Sequence, residues 1–186
     1  MIDERALWIY PQGTGTRPED AFHRHKRPVG RTWRMDETYI RVKGEWRYLY
    51  RAVDRQGQTI DFLLTEQQDT EAALRFLTHA IRRHGVPETI TIDGSEANAA
   101  AIRRYNEAYG TAIEIRQIKY LNNLVEQDHR GVKRVTRPMR GFKSFEAARG
   151  ALVGIELMHM LKKGQMVVKQ EEESLTPAEQ FYILAA

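Results

Sequence analysis

The chain has no cysteine among its 186 residues, which removes disulfide frameworks and thiolate-bound zinc from the possibilities. No apolar run approaches the length of a bilayer span, and the start, Met1-Ile-Asp-Glu-Arg5, lacks the basic and apolar blocks of a secretory signal. A soluble cytosolic setting fits these absences best. There is no phosphate-cradling glycine loop and no nucleophile elbow built around serine, histidine and aspartate, so nucleotide hydrolysis is disfavoured. Internal repeats and low-complexity tracts are missing as well. What remains is enough chain for one well-buried domain and a short appendage.

Charge is close to balanced in total and unbalanced locally. The chain carries 29 Lys+Arg against 25 Asp+Glu, a net +4, which by itself decides little. The stretch from His23 to Arg34 holds no acid, and neither does the stretch carrying Arg130, Lys133, Arg134, Arg137, Arg140 and Lys143. Two basic stretches flanking an acidic site suit a polyanion laid across it. A solvated basic surface is the competing reading for either one.

Periodicity divides the chain. Residues 1–32, with Pro11, Gly13, Gly15, Pro18, Pro28 and Gly30, read as an irregular N-terminal extension. Strands are predicted near 33–42, 46–54 and 58–65, joined by Lys43-Gly44-Glu45 and Arg55-Gln56-Gly57-Gln58, turns short enough for an antiparallel meander. The period then changes. Ala73, Phe76, Leu77, Ala80 and Ile81 fall at helical spacing after a cap at Asp69 or Thr70, and Gly85 and Pro87 end the helix. A strand near 88–93, a helix over 96–109, a strand near 112–118 and a helix over 122–135 follow. Another helix starts after Ser144 and runs to about Leu161, with Phe145, Ala148, Leu152 and Ile155 on one stripe. Residues 164–186 form a polar connector and a short helix opened by Thr176-Pro177-Ala178-Glu179. Residues 33–163 are thus expected to be an α/β domain. Its mixed five-stranded sheet comprises a three-strand antiparallel meander and two parallel strands, with helices on both faces. That order matches the ribonuclease H-like fold, whose first strand lies centrally.

Three carboxylates stand out against this plan: Asp36 within the first strand, Asp93 at the end of the fourth, and Glu126 on a later helix. Aspartate is disfavoured inside strands, and a buried unpaired carboxylate is costly, so Asp36 calls for a positive partner. An edge aspartate facing solvent is the competing reading. Glu37 is a decoy, since successive strand residues point to opposite faces. Asp93 precedes Gly94 and reads equally as a turn residue or a helix cap. Glu126 is followed at i+3, i+4 and i+7 by His129, Arg130 and Lys133. These could make an ordinary intrahelical salt bridge or could hold a phosphate beside a metal-binding acid. Asp128 lies off that face. Three converging acids can hold paired divalent cations, which clamp the attacking and leaving oxygens of a phosphoryl displacement. Oxygen-only ligation suits two Mg²⁺ ions, with Mn²⁺ substituting. His23, His25, His79, His84 and His159 read as surface or packing residues, and Trp33, Trp46, Tyr48 and Tyr50 as sheet core.

Specific blocks of residues carry a resemblance. Trp33-Arg-Met-Asp36-Glu-Thr-Tyr-Ile, Trp46-Arg-Tyr-Leu-Tyr-Arg-Ala-Val-Asp54, Thr91-Ile-Asp93, Gln117-Ile-Lys-Tyr-Leu-Asn-Asn-Leu-Val-Glu126-Gln-Asp-His-Arg130, Gly141-Phe-Lys-Ser-Phe and Ile155-Glu-Leu-Met-His-Met resemble DDE transposases of bacterial insertion sequences. Insertion sequence 6 members are the nearest in kind, over about residues 33–167. The resemblance implies an integrase-type catalytic core with Asp36, Asp93 and Glu126 as the metal-binding triad. It implies Lys133 as a contact to transposon-end DNA, and Arg130, His129, Arg134, Arg137 and Arg140 lie in the same basic region. It further implies cleavage and strand transfer at element ends, partners that include end and target DNA and a homodimer or higher assembly, and a bacterial, nucleoid-associated setting. Family members carry a helix-turn-helix segment before the core, whereas residues 1–32 show no helical pair, so a core lacking end recognition is expected. The alternatives are an inactive remnant that binds DNA or competes as a subunit, and a host nuclease of the same fold.

Overall fold

The computed structural model describes residues 23–118, 123–167 and 175–185. Strands β1 (Thr32–Val42), β2 (Glu45–Asp54) and β3 (Thr59–Thr65) form the antiparallel meander. β4 (Thr89–Ile92) and β5 (Glu114–Gln117) add in parallel on the other side of β1, so the sheet order is β3-β2-β1-β4-β5. The β1–β2 turn needs two successive residues at positive φ, met by Lys43 (φ 52°) and Gly44 (φ 82°), the backbone that matches strand twist. At the next turn the Asp54 carboxylate accepts the N–H groups of Gln56 and Gln58 at 2.9 Å, and its second oxygen accepts that of Gly30 at 2.9 Å. One acid therefore closes a hairpin and pins the chain entering β1.

Helix α1 (Thr70–His84) starts where the Asp69 side chain accepts the Ala72 N–H and stops at Gly85 (φ 82°). Helix α2 (Glu96–Tyr109) is capped by Ser95, not by Asp93, and ends at the left-handed Gly110. Both helices cover one sheet face, where Trp33, Met35, Tyr50, Ala52, Ile60, Ile90 and Ile92 meet Phe76, Leu77, Ala99 and Ile102. Helices α3 (Asn123–Thr136) and α4 (Phe145–Lys162), linked by a 3-10 turn over Arg137–Met139, cover the other face. There Ile40, Leu49, Phe62 and Leu64 pack with Val132, Leu152, Leu157 and Met160. Burying each such side chain contributes roughly 1.5–3 kcal/mol. α3 and α4 approach closely at Gly131, where a Cβ would lie 2.3 Å from the His159 ring. A terminal helix α5 (Pro177–Ala185) opens with the expected capping box, Thr176 accepting the Glu179 N–H while Glu179 accepts the Thr176 N–H at 2.7 Å. Among the described residues no helix is long and apolar enough to cross a membrane.

Two expectations need correction. Trp46 is not sheet core: it is 58% exposed at the hairpin tip, edge-on to the exposed Tyr39, with Arg41 over its ring. The tip of the ribbon runs past the helices that cover the rest of that face, so nothing buries the indole. Tyr48 is only half-buried there. The basic stretch His23–Arg34 does not flank the acids. It runs into the N-terminal end of β1, where the Lys26 ammonium donates to the Ile60 carbonyl, Arg27 N–H donates to Gln165 O at 2.7 Å, and Val167 N–H donates to His25 O at 2.6 Å. Most of the expected irregular extension, residues 1–22, lies outside the described residues.

Candidate catalytic acid site

Backbone register sets two of the three acids. The β1–β4 pairs Trp33↔Ile90 and Arg34↔Thr91 lay β4 along β1, so Asp93, one residue past β4, lies near enough for its charge to raise Asp36. Residues paired across strands share a face, so Asp36 looks toward α3, with Arg51 directly opposite it on β2. Glu37 faces the other way, accepting the Asn98 side-chain N–H at 3.0 Å and one from Gln68. Asp93 is exposed just past β4, and its Oδ1 accepts the Ser95 N–H at 3.1 Å. It shapes the turn into α2 and leaves the capping to Ser95. Glu126 is exposed in the first turn of α3, whose buried side is Val125, His129, Val132 and Thr136. Among the described residues Glu126 has no ion pair with Arg130 or Lys133.

Electrostatics ties the acids together. Burial, then the charges of Glu37, Asp93 and Glu126, push the Asp36 carboxyl up to about 8. No lysine or arginine among the described residues lies within ion-pair distance of it. The nearest basic group is the His129 imidazole, Nδ1 3.6 Å from Asp36 Oδ2. Burial, with Arg51 and Lys133 nearby, lowers His129 to about 3, so the ring is neutral near pH 7 and does not compensate the acid. His129, expected among DNA contacts, is buried against Asp36; helix geometry turns it inward with Val125 and Val132. In this conformation no three His, Asp or Glu side chains among the described residues are gathered tightly enough to hold an ion. The three acids share a side of the sheet without being drawn into a closed ligand cage.

The second basic stretch does lie beside the acids. Lys133 is half-buried, its pKa lowered by burial and by Arg137, with the Asp36 charge opposing. Arg130, Arg134, Arg137 and Arg140 are exposed on the same helix and the turn after it.

Sequence reasoning missed the charges beneath this surface. Arg51 is 0% exposed and bridges two helices: its Nη2 donates to Asp128 Oδ2 at 2.7 Å and to Glu156 Oε2 at 2.8 Å, while Nε lies 2.7 Å from Glu156 Oε1. Lys163 Nζ is 2.6 Å from the second Asp128 oxygen. Asp128, set aside because it leaves the Glu126 face, is thus the ionic anchor of α3. A signal existed: Arg51 interrupts Tyr48-Leu-Tyr-Arg-Ala-Val53 at a core position of a central strand. The histidines expected as packing residues proved organised too. His79 Nδ1, Arg83 Nη1 and His84 Nε2 stand 3.2, 3.7 and 4.0 Å from the buried Asp61 Oδ2, with His23 beside His84.

A profile of the DDE domain of IS240-type transposases matches residues 30–165. The chain belongs to the DDE transposase-domain family. Its relatives include the transposase of the insertion sequence-like element IS431mec and that of IS257 in transposon Tn4003, both from Staphylococcus aureus. Each is 40% identical over 133 residues, covering 70% of this chain. The chain spans 58% of the length of those relatives. The catalytic core domain of BIV integrase is similar to this transposase domain in fold, with a TM-score of 0.52 and 16% identity over 83% of this chain and 95% of that one. The ribonuclease H-like architecture expected from the element order is therefore the one present, and the matched span contains Asp36, Asp93, Glu126 and Lys133.

Proposed function

We propose that this transposase domain cuts DNA at the ends of an insertion sequence and joins the freed 3′-hydroxyl to target DNA, with Asp36, Asp93 and Glu126 holding two divalent cations. The observation that carries this reading is Asp36. It is a largely buried carboxylate on the central strand, pushed up to about 8 by burial, by Glu37 and by the two other candidate ligands, with no arginine or lysine among the described residues paired to it. Such a group is poorly suited to support the fold and well suited to bind a cation. The donor set fits hard cations, since it is carboxylate oxygen throughout in a chain without thiols. Mg²⁺ is the expected ion and Mn²⁺ a working substitute. When bound, paired ions supply charge stabilisation at the attacking and leaving oxygens of the phosphodiester.

The chain's own residues set the rest. β1 holds Asp36 rigidly in mid-sheet. The Ser95 N–H fixes the Asp93 carboxylate, while Glu126 approaches from a helix turn that leaves it free to close on the site. Lys133 and Arg137 place positive charge on the DNA side of Asp36, where a phosphate flanking the reacting bond would lie, and Arg130, Arg134 and Arg140 extend that surface. Neutral His129 packs against Asp36 and limits water access from the α3 side. Strand transfer exchanges one phosphodiester for another: the 3′-oxygen bonds to target phosphorus as the target's own 3′-oxygen leaves. No external energy source is needed. Bringing two element ends together calls for a homodimer or larger assembly on the DNA of a bacterial nucleoid.

The test is strand transfer by the purified chain on pre-cleaved ends in Mg²⁺. Asp36→Asn, Asp93→Asn and Glu126→Gln are each expected to lower the rate at least about 10³-fold. Joined product at wild-type rates in any one of them removes that residue from the site. Equal, background-level product in wild type and variants instead supports an inactive DNA-binding remnant.

A further inference from the structure

Arg51 poses a problem of position. It stands directly opposite Asp36 on the neighbouring strand, on the same face of the sheet. Cβ atoms of such pairs lie about 4.5–5.5 Å apart, well within the reach of an arginine side chain. A fully buried guanidinium next to a largely buried, otherwise uncompensated carboxylate would ordinarily pair with it. Here it does not. Its Nη2 donates instead to Asp128 from α3 and Glu156 from α4, Nε lies 2.7 Å from Glu156 Oε1, and Nη1 has no hydrogen-bond partner among the described residues. The second Asp128 oxygen is taken by Lys163, itself fixed by the Gly57 carbonyl at 2.9 Å and the Thr59 hydroxyl at 3.1 Å. Two cations and two anions thus neutralise one another beneath the acids.

Stability alone does not call for this arrangement. A buried ion cluster is often matched or bettered by apolar side chains of similar volume, so its retention points to a geometric task. We infer that Asp128 and Glu156 hold the Arg51 guanidinium away from Asp36 and so keep that carboxylate open to divalent cations, which makes Arg51, Asp128 and Glu156 positioning residues. The inference rests on the metal-binding reading of Asp36 proposed above. The same contacts tie α3 to β2 two residues beyond Glu126, so the cluster that restrains Arg51 also sets the height of Glu126 over the sheet. Removing the two carboxylates frees Arg51 to occupy the Asp36 oxygens, and a metal must then displace it.

Mn²⁺ binding to the full chain, followed by electron paramagnetic resonance without DNA, separates the possibilities. Wild type is expected to bind Mn²⁺ and Asp36→Asn to lose that binding. Failure of either result defeats the metal-binding reading itself. Given both, Asp128→Asn with Glu156→Gln is expected to weaken Mn²⁺ binding about tenfold, one pKa-unit equivalent of competition from the freed arginine. Adding Arg51→Met to that pair is expected to restore affinity to within about twofold of wild type, a recovery that general damage to the fold would not produce. Unchanged affinity in the double variant, or no recovery in the triple, overturns the proposal. If the double variant does not fold, as judged by circular dichroism, Glu156→Gln alone carries the same expectation at about threefold, again reversed by Arg51→Met.

Discussion

Two buried aspartates on opposite faces of one sheet behave in opposite ways. For Asp61, burial would raise the carboxyl, but His79 at 3.2 Å, with His23 and Arg83 nearby, holds it well below the usual carboxylate range. Asp36 has acids around it and rises to about 8. The residue type is the same, both sit on strands, and both are largely removed from water. What differs is the sign of the surrounding charge. Asp61 faces basic groups on α1 and in the segment before β1, so its electrostatics serve the fold. Asp36 has no lysine or arginine partner among the described residues and suits a ligand from outside. A buried charge supports the structure when its partners are built in, and marks a site when they are not.

Removing each acid should separate them most clearly. Asp61→Asn removes the buried anion around which His79, Arg83 and His84 gather and is expected to cost about 3–5 kcal/mol in thermal or urea unfolding. Asp36→Asn should have the opposite sign. Because the folded pKa of Asp36 lies above its unfolded value, the fold keeps a proton that the unfolded chain releases, a cost that grows as pH rises from about 4 to about 8. In a metal chelator at pH 7.5 the asparagine variant should therefore gain about 1–3 kcal/mol. Equal destabilisation by both substitutions would erase the contrast.

Acid should attack the Asp61 side first. Burial foremost lowers His84 to about 4 and His23 to about 3, against the opposing pull of Asp61 and with Lys26 and Arg83 adding to the lowering. The unfolded chain then binds more protons below pH 6.5, and stability falls as the pH drops toward those folded values. A loss of about 2–4 kcal/mol between pH 7 and pH 4 is expected, reduced by His84→Asn. A flat profile over that window would show that the two rings are solvated.

The smallest effect tests the Asp36 side from across the sheet. Glu37 points to the α2 face yet contributes to the raised Asp36 pKa. Glu37→Gln should lower the Asp36 pKa, read by carboxyl-carbon NMR, by less than about one unit. A larger fall would mean that Asp93 and Glu126 contribute little and that the acids are not acting together.

Much of this was legible in the residue order. The turn at Lys43-Gly44, the stop at Gly85 and the cap at Thr176 rest on local backbone chemistry and appear where expected, and of Asp69 and Thr70 it is Asp69 that caps α1. Asp36 was conspicuous because a central strand seldom carries a carboxylate, and Glu37 could be set aside by alternation alone. Trp46 was misjudged because period and hydrophobicity do not say where a covering helix ends. His129 was misjudged because i+3 spacing from Glu126 places it near that face without saying which side of α3 is pressed to the sheet.

By itself, then, the sequence determined the elements, their order and the family and singled out three candidate acids, since each of these readings depends on short-range pattern. Only the tertiary structure decided which charges face one another. It turned Arg51 toward Asp128 and Glu156, gathered three histidines and an arginine around Asp61, and left Asp36 among other acids. Coulomb energies and desolvation follow distance and burial in space, and the partners of Arg51 lie 77 and 105 residues away along the chain.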